Sequence, residues 1–365
     1  MNAGGSSDGA SPGVRLASVD ALRGVTVAAM LLVNNPGDWG NVYAPLLHAD
    51  WHGFTPTDLI FPLFLFVVGV SISLALGRQI EHGRRASELV RSVVARAARI
   101  IGLGLLLHLC AYWAFDLAHY RVMGVLQRIG LCYLLAALAM LYLSARLQWA
   151  VLGALLLGYW ALLAAGGTLA PWTNAASRFD TWILGVHGYQ YDAATGLGHD
   201  PEGLASTLGA LATTVLGLRA GDALRHGRRR ALLLGAVAAM LLALAWQLVL
   251  PINKNLWTPS YVLWSGGLAC ALLLLAHEAI DRRGWPAWGR AFGVNAIAAY
   301  AGSAFMLYAL VALGWLEPLY RKGFAHWLAP GFGPYVPSLA YALAFVALWW
   351  GVMRVLDARG IHFKV

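Results

Sequence analysis

Charge is scarce in this 365-residue sequence. Asp, Glu, Lys and Arg together make up 12% of the residues, whereas 59% are hydrophobic. Soluble domains carry about 25% charged residues, so the composition excludes an ordinary soluble domain. Apolar surface in such excess has to face lipid. The sequence therefore predicts a polytopic integral membrane protein of a cell inner or plasma membrane, in contact with membrane lipid.

Cysteine is also rare, and several chemical signatures are missing. Cys110, Cys132 and Cys270 all lie inside apolar runs, which favours buried free thiols over a disulfide framework or a metal site. The sequence contains no glycine-rich phosphate loop, no zinc-spaced His/Cys set and no serine-nucleophile elbow. We therefore expect no bound metal. The net charge of +9 does not imply a nucleic-acid partner, because the position of charges matters more than their sum in a membrane protein.

Long apolar runs dominate what is present. A run of about 20 apolar residues is long enough to cross a bilayer as a helix. Ten such spans are predicted, near 16–35, 57–77, 97–115, 122–144, 147–168, 203–222, 231–250, 258–278, 293–313 and 335–356. No internal repeat of the kind found in many transporters is visible. We predict an all-α fold, a polytopic membrane bundle of about ten transmembrane helices.

Composition divides the chain into three parts. Residues 1–14 are small and polar, and they lack the basic start and apolar core of a cleaved signal. We expect a single transmembrane domain over 15–358, and a short C-terminal tail over 359–365.

The basic residues predict the orientation. With the N-terminus inside, 19 of the 26 Lys and Arg fall in cytoplasmic segments and two fall within spans. The opposite face holds only five, namely Arg121, Arg178, Lys254, Arg321 and Lys322. Lys and Arg concentrate in cytoplasmic loops, so both termini are predicted to be cytoplasmic.

Two long polar segments then face outward. The stretch "LHADWHGFTPTD" (47–58) precedes the uncharged second span. Its Thr55, Pro56 and Asp58 suit the N-cap, N1 and N3 positions of a helix start. The connection at 169–202, rich in aromatic, Asn, Asp and Gly residues, is either a surface loop with interfacial Trp and Tyr or a sugar-binding lid.

Six stretches together resemble a known family. They are "SVDALRGVTVAAMLLVNN" (18–35), "HADWHGFTPTDLIFPLFLFVVGVSI" (48–72), "GVLQRIGLCYLLA" (124–136), "HDPEGLASTLGALATTVLGLRAG" (199–221), "PINKNLWTPSYVLWSGG" (251–267) and "GVNAIAAYAGS" (293–303). This set and its order resemble the heparan-α-glucosaminide N-acetyltransferase family of transmembrane acyltransferases. The resemblance implies transfer of an acetyl group from acetyl-CoA to the amine of a terminal glucosamine. The sequence lacks the lumenal domain that animal members carry before the first span, so heparan itself is not assumed as the substrate.

The resemblance also implies site residues. The histidine that opens the family's H-A-x-W motif corresponds to His48, expected on the extracytoplasmic side as general base or transient acetyl acceptor. The asparagine of the V-N pair corresponds to Asn34, with Asn35 as the alternative, and either amide could donate to the developing oxyanion. Asp58 is expected to orient His48, to cap the second helix, or to do both. His52 is left without a role.

Other polar positions are candidates for binding substrate or CoA. Gln127 and Arg128 lie inside the fourth span, where charge is costly and often functional; Arg128 could bind a CoA phosphate or pair with a carboxylate such as Asp58. In "PINKNLWTPSY" the candidates are Asn253, Lys254 and Asn255. Trp51 is either an interfacial anchor or a platform for stacking a sugar.

Three classes of function remain open. The first is an integral-membrane acetyltransferase with acetyl-CoA as donor and an amino sugar or glycan as acceptor, as a monomer or a homodimer. The second is a sugar or lipid transporter or flippase that uses the same polar groups. The third is a binding protein that keeps the scaffold without activity.

Overall fold

The computed structural model describes residues 16–363 of the chain. The polar tail expected over 1–14, and the last two residues of the tail expected over 359–365, lie outside this range. Most of the described chain is helical, and the predicted all-α membrane bundle is confirmed. A single small hairpin of two three-residue strands, β1 (Gln190–Asp192) and β2 (Leu197–His199), is the exception within 16–363.

Fifteen α-helical segments follow one another in that range. They are α1 (Ala17–Asn34), α2 (Ile60–Ile72), α3 (Arg78–Glu81), α4 (Ala86–Ala114), α5 (Val125–Tyr142), α6 (Ala145–Ala165), α7 (Ala175–Leu184), α8 (Thr207–Arg225), α9 (Arg229–Trp246), α10 (Pro259–Ala276), α11 (Arg290–Val294), α12 (Ala296–Ala312), α13 (Leu316–Tyr320), α14 (His326–Phe332) and α15 (Tyr335–Ala358).

Short 3-10 and π segments extend two of these helices. A 3-10 turn leads into α2 and a π segment joins α2 to α3, so that one continuous helix runs over Pro56–Glu81. A second π segment lengthens α10 to Arg282. Both composite helices are long enough to cross a bilayer.

Eight helices of the described chain are long and apolar enough to span a membrane. The pair formed by α12 and the segment Leu316–Phe332, bent by 102°, makes a ninth if it counts as one span. Each of the ten predicted spans coincides with a helix, but α8 is not among these eight or nine. Its last two turns carry Arg219, Asp222 and Arg225, which lowers its hydropathy. The count of ten therefore stays a prediction.

Helix α8 lies in the interior of the bundle, with 15 of its 19 residues buried. It packs against α2 so closely that their backbones are in contact. A Cβ added at Gly69 would lie 2.0 Å from the carbonyl oxygen of Thr214, and one added at Gly217 would lie 2.0 Å from that of Phe66. Only glycine permits such an approach, a common feature of helix pairs in membranes.

The two ends of the bundle carry different sets of polar contacts. At the C-terminal end of α8, Arg225 pairs with Glu81 at 2.5 Å, and nearby Arg229 pairs with Glu278 at 3.4 Å. The segments around residues 47–58, 121, 200–206 and 253–258 meet at the opposite end, where α8 begins.

The three cysteines are free; Cys132 and Cys270 are buried as expected, while Cys110 is half-buried.

Candidate active site

The imidazole of His48 and the carboxylate of Asp58 form the centre of the candidate site. The Nδ1 atom of His48 lies 2.6 Å from Oδ1 of Asp58. The Asp58 side chain is fully buried, whereas 45% of the His48 side chain is exposed. The pair thus presents one side of a histidine ring to the outside while a buried carboxylate holds the other.

The start of the second span fixes Asp58. Thr55 is the N-cap and Pro56 the first residue of the 3-10 turn, as predicted. The second carboxylate oxygen, Oδ2, accepts hydrogen bonds from the N–H of Thr55 at 2.9 Å, from its hydroxyl at 3.1 Å and from the N–H of Ala49 at 3.1 Å. Oδ1 of Asp58 therefore orients His48, while Oδ2 caps the start of the helix.

This arrangement selects one tautomer of His48. A carboxylate can only accept, so the imidazole nitrogen that faces Asp58 has to carry the proton. The other nitrogen, Nε2, is then the atom with a free lone pair. An exposed Nε2, with Nδ1–H bonded to a buried carboxylate, is the arrangement that a histidine general base requires.

A tight turn over residues 253–258 faces this ring. The side-chain oxygen of Asn253 accepts from the N–H of Leu256 at 2.8 Å, and the hydroxyl of Thr258 accepts from the N–H of Asn253 at 3.1 Å. Trp257 is completely buried and has φ +52°. Such a backbone is costly for a large side chain, by about 1–3 kcal/mol, and persists where the surroundings over-determine it.

The turn brings Lys254 next to His48. Its ammonium nitrogen Nζ lies 3.5 Å from Nε2 of the imidazole. Burial lowers the pKa of the Lys254 ammonium, an effect that the carboxylates of Glu202 and Asp58 oppose. Asn253 donates from its amide to Nδ1 of His52 at 3.2 Å, and burial lowers the pKa of His52. Both predicted polar clusters therefore meet at one site.

An ion-pair network that the sequence did not reveal supports the same end of the bundle. Arg121 contacts Asp200 at 2.5 Å and Glu202 at 2.6 Å. Burial opposes ionisation of Glu202, but Arg121, Lys254 and Arg128 outweigh it and lower the pKa of this carboxyl to about 2. The available signals were that Arg121 is one of the five cations predicted to face outward and that both carboxylates fall in the "HDPEG" stretch.

Arg128 is the deepest cation of the site. It is completely buried and donates from Nη2 to the carbonyl oxygen of Gly203 at 3.0 Å and to the hydroxyl of Ser206 at 2.5 Å. Its guanidinium also lies over the Trp257 ring, 5.1 Å from the centroid. Within the described part of the chain it makes no hydrogen bond to Asp58, and its Nε and Nη1 find no acceptor. These spare donors suit an anion such as a phosphate.

Gln127 and Trp51 hold neighbouring segments in place. The Gln127 amide donates to the carbonyl oxygen of Val122 at 2.9 Å. Trp51 donates from its indole nitrogen to the carbonyl oxygen of Leu169 at 2.9 Å, and its ring packs edge-on against His199, with the centroids 5.2 Å apart. Trp51 thus connects the loop over residues 47–58 to the 169–202 segment.

Segment 169–202 folds into α7 and the β1–β2 hairpin. It forms an open groove of about 260 Å³, lined by residues that include Arg178, Trp182 and Tyr191. Its buried His199 has a pKa lowered to about 4, chiefly because burial disfavours the charged ring. Whether this segment acts as a lid for a sugar stays a prediction.

The asparagines are placed less closely. Asn34 is exposed at the C-terminal end of α1, while Asn35 is buried and donates to the carbonyl oxygen of Leu31 at 2.7 Å. Asn255 is half-buried in the 253–258 turn. Among residues 16–363, no hydrogen bond links Asn34, Asn35 or Asn255 to His48. Their roles therefore stay predictions.

Comparison with known proteins agrees with the resemblance read from the motifs. A protein-family model described as "Heparan-alpha-glucosaminide N-acetyltransferase, catalytic" matches residues 15–191, a stretch that contains His48, Asp58, Arg121 and Arg128. The chain is 29% identical over 352 residues to the heparan-alpha-glucosaminide N-acetyltransferase of Homo sapiens, covering 79% of this chain and 52% of that protein. Against the protein of the same name from Mus musculus the identity is 29%, with 79% and 53% covered.

The similarity confirms the family resemblance expected from the sequence. The chain spans about half the length of these two relatives.

Proposed function

We propose that this chain, which is similar to the heparan-alpha-glucosaminide N-acetyltransferases, is a transmembrane N-acetyltransferase. It moves acetyl from acetyl-CoA to the amine of an amino sugar of the glucosamine type, free or at the end of a glycan. The observation that carries the proposal is the 2.6 Å contact between Nδ1 of His48 and the buried Asp58 carboxylate, which leaves Nε2 as the base. The names of the relatives supply the reaction class.

The reaction needs a proton acceptor beside the attacking amine. In the direct route, the amine of the sugar attacks the thioester carbon while Nε2 of His48 takes its proton. The imidazolium that forms is stabilised by Asp58 and returns the proton to the CoA thiolate. In the alternative route, Nε2 first accepts the acetyl group and then passes it to the amine. Either route uses the same nitrogen.

Cations and amides around the ring are the candidates for binding the donor and acceptor. We assign Lys254, 3.5 Å from Nε2, to negative charge on the substrate or on CoA. Arg128, with its two spare donors, and Gln127 are assigned to the CoA side. Asn34 is assigned to the oxyanion of the tetrahedral intermediate. Asn253 and Asn255, on the 253–258 turn, and Trp51 are assigned to the sugar.

We further propose that His48 acts on the extracytoplasmic side. The support is the distribution of basic residues, 19 on one face against five on the other. His48 lies at the end of the bundle opposite to the Arg225–Glu81 and Arg229–Glu278 pairs. The acetyl group would then be taken from cytoplasmic acetyl-CoA and used on the outer side by a protein embedded in lipid, alone or as a homodimer.

The test is acetylation of glucosamine by the purified full chain. We expect formation of N-acetylglucosamine with stoichiometric release of CoA. Replacing His48 with Ala should lower turnover by about 10²–10⁴-fold, the contribution of a positioned base. His119→Ala, which alters an exposed histidine in the loop after α4, is the matched control. Absence of N-acetylglucosamine would exclude this function, and unchanged turnover of the His48→Ala protein would exclude His48 as the base. Counterflow of labelled glucosamine without acetyl-CoA would instead favour a transporter.

A further inference from the structure

Lys254 places a primary amine where the reaction needs one. In the proposed direct route, the amine of the acceptor sits within hydrogen-bonding reach of Nε2 of His48 when it attacks the thioester. Nζ of Lys254 already lies 3.5 Å from that nitrogen. Catalytic contacts are often somewhat long in the absence of ligands. The lysine side chain therefore occupies the region that a substrate amine would enter.

Hydrogen bonds fix the main chain from which this amine extends. Lys254 is part of the 253–258 turn, whose hydrogen bonds join Asn253 to Leu256 and Thr258. The Trp257 N–H also donates to the carbonyl oxygen of Lys254 at 3.1 Å. On the other side, Asp58 fixes the His48 ring. The turn that carries Lys254 and the ring of His48 are therefore each held by hydrogen bonds.

We propose that Lys254 is a self-acetylation site, modified by the protein's own His48 centre. This inference rests on the proposed acetyltransferase function. It adds that the enzyme carries an internal acceptor that competes with the amine of the sugar. The modification is an amide, which does not return its acetyl group to a sugar under these conditions.

The chemistry is balanced with acetyl-CoA as the only co-substrate. The neutral amine of Lys254 attacks the thioester carbon, a C–N bond forms and the C–S bond breaks. The amine proton passes to Nε2 of His48 and then to the CoA thiolate, which leaves as the thiol. In the alternative route, Nε2 attacks the thioester carbon and the C–S bond breaks, which releases the CoA thiolate. Nζ then attacks the acetyl carbon, the Nε2–C bond breaks, and the amine proton passes to the thiolate, so that the neutral imidazole is regenerated. Both routes end at Nε-acetyl-lysine and free CoA.

Neighbouring charges set the rate of this side reaction. Burial and the cations Arg121 and Arg128 favour the neutral, nucleophilic form of the amine, whereas Glu202 and Asp58 favour the ammonium form. Once acetylated, Lys254 carries no charge, and its added group fills the space in front of Nε2. Modification then inactivates the site.

Mass spectrometry of the purified full chain tests the proposal. The sequence contains only three lysines, Lys254, Lys322 and Lys364, so the other two are internal controls for chemical acetylation. The protein is incubated with isotopically labelled acetyl-CoA, with and without glucosamine, and digested. We expect label at Lys254 at least tenfold above the other two lysines, and a lower yield when glucosamine is present. His48→Gln should lose the label, as should Lys254→Arg, which keeps the positive charge.

The outcomes separate this inference from the proposed function. Wild-type protein that acetylates glucosamine but carries no label at Lys254 overturns the inference and leaves the function intact. Equal labelling of all three lysines, or undiminished label at Lys254 in His48→Gln, also overturns it, because the reaction is then not His48-dependent. Absence of glucosamine acetylation contradicts the proposed function itself.

Discussion

The hydroxyl of Tyr261 donates a hydrogen bond of 2.7 Å to the main-chain carbonyl oxygen of Asp58. Tyr261 lies in the first turn of α10 and is completely buried. Asp58 is therefore held twice, through its carboxylate by the N-cap and through its backbone by α10. The same helix follows the turn that carries Lys254, so one bond ties the two halves of the site together.

Removing this bond should disturb the site more than the fold. We expect Tyr261→Phe to leave the Asp58 carbonyl unsatisfied, at a cost of about 1–3 kcal/mol, and to lower kcat for glucosamine because the His48 ring loses a fixed support. The measurements are the thermal midpoint in detergent and steady-state kinetics. Tyr308→Phe, whose ring packs on Phe115, is the control. Unaltered kcat together with a lowered midpoint would show that this bond serves stability alone.

Two substitutions of Asp58 should separate capping from orientation of His48. In Asp58→Asn the amide oxygen can still accept from the N–H of Thr55, but the charge that stabilises the imidazolium is gone. We expect kcat to fall by about 10²-fold or more, toward the full contribution of a positioned base, with KM little changed. In Asp58→Ala the cap is lost too, which should lower the free energy of unfolding by a further amount of about 0.5–2 kcal/mol.

Kinetics and unfolding of the two variants check this prediction. The expected pattern is a similar loss of kcat in both proteins and a lower thermal midpoint in Asp58→Ala alone. If Asp58→Asn retained wild-type kcat, the carboxylate would have no role in positioning His48 and would be a capping residue only.

Breaking the Arg121 network should destabilise the protein at the end of the bundle that carries His48. Arg121→Ala leaves Asp200 and Glu202 buried without their cation, and removal of one partner of a buried pair costs about 3–5 kcal/mol. Arg178→Ala removes an exposed arginine from the same face, and such changes stay within about 0.5 kcal/mol. Thermal unfolding of both proteins in the same detergent gives the comparison. Equal midpoints would mean that the network contributes nothing to stability.

The buried carboxyl of Asp180 should make the stability of the protein depend on pH. Burial raises the pKa of this carboxyl to about 6, helped by the nearby Asp200, above its ordinary value near 3.8. The folded protein therefore binds a proton that the unfolded chain releases, so this group makes stability fall as pH rises from about 4 to about 6. Above that window the penalty is constant, and below it there is none.

Replacing Asp180 with Asn should remove the penalty. The amide oxygen can still accept from the N–H of Ala205, which donates to Asp180 at 2.9 Å. We expect Asp180→Asn to unfold at a higher temperature than the wild type at pH 7 and at the same temperature near pH 4. A difference that did not vary with pH would contradict the raised pKa.

Local patterns in the sequence predicted the positions of the helices. Hydrophobic runs predicted a helix at each of ten places, because lipid demands about 20 apolar residues with internal hydrogen bonds. The start of the second span was also predicted, since Thr55, Pro56 and Asp58 act on one another within four residues. The number of true crossings was not fixed, because α8 is buried by its neighbours and tolerates charges that lipid would exclude.

Long-range contacts were the part that pattern reading missed. Arg121 and Glu202 are 81 residues apart, and nothing in the local sequence of either indicates the other. The position of Lys254 beside His48 depends on a backbone turn with a left-handed tryptophan, which no propensity predicts. Asn34 is the opposite case: a motif suggested a role for it, but the described contacts do not place it next to the His48 ring.

The glycine contact between α2 and α8 has a consequence for how the protein can be altered. Asp58 lies in the first turn of the composite helix that contains α2, and Ser206, the partner of Arg128, immediately precedes α8. Because the two backbones touch at Gly69 and Gly217, the spacing between the imidazole and the buried guanidinium is set in the interior of the helix bundle. A single methyl group introduced at Gly217 would push α2 and α8 apart. The distance between His48 and Arg128 would then change, although the substitution lies several helical turns away and replaces no side chain proposed to contact a ligand.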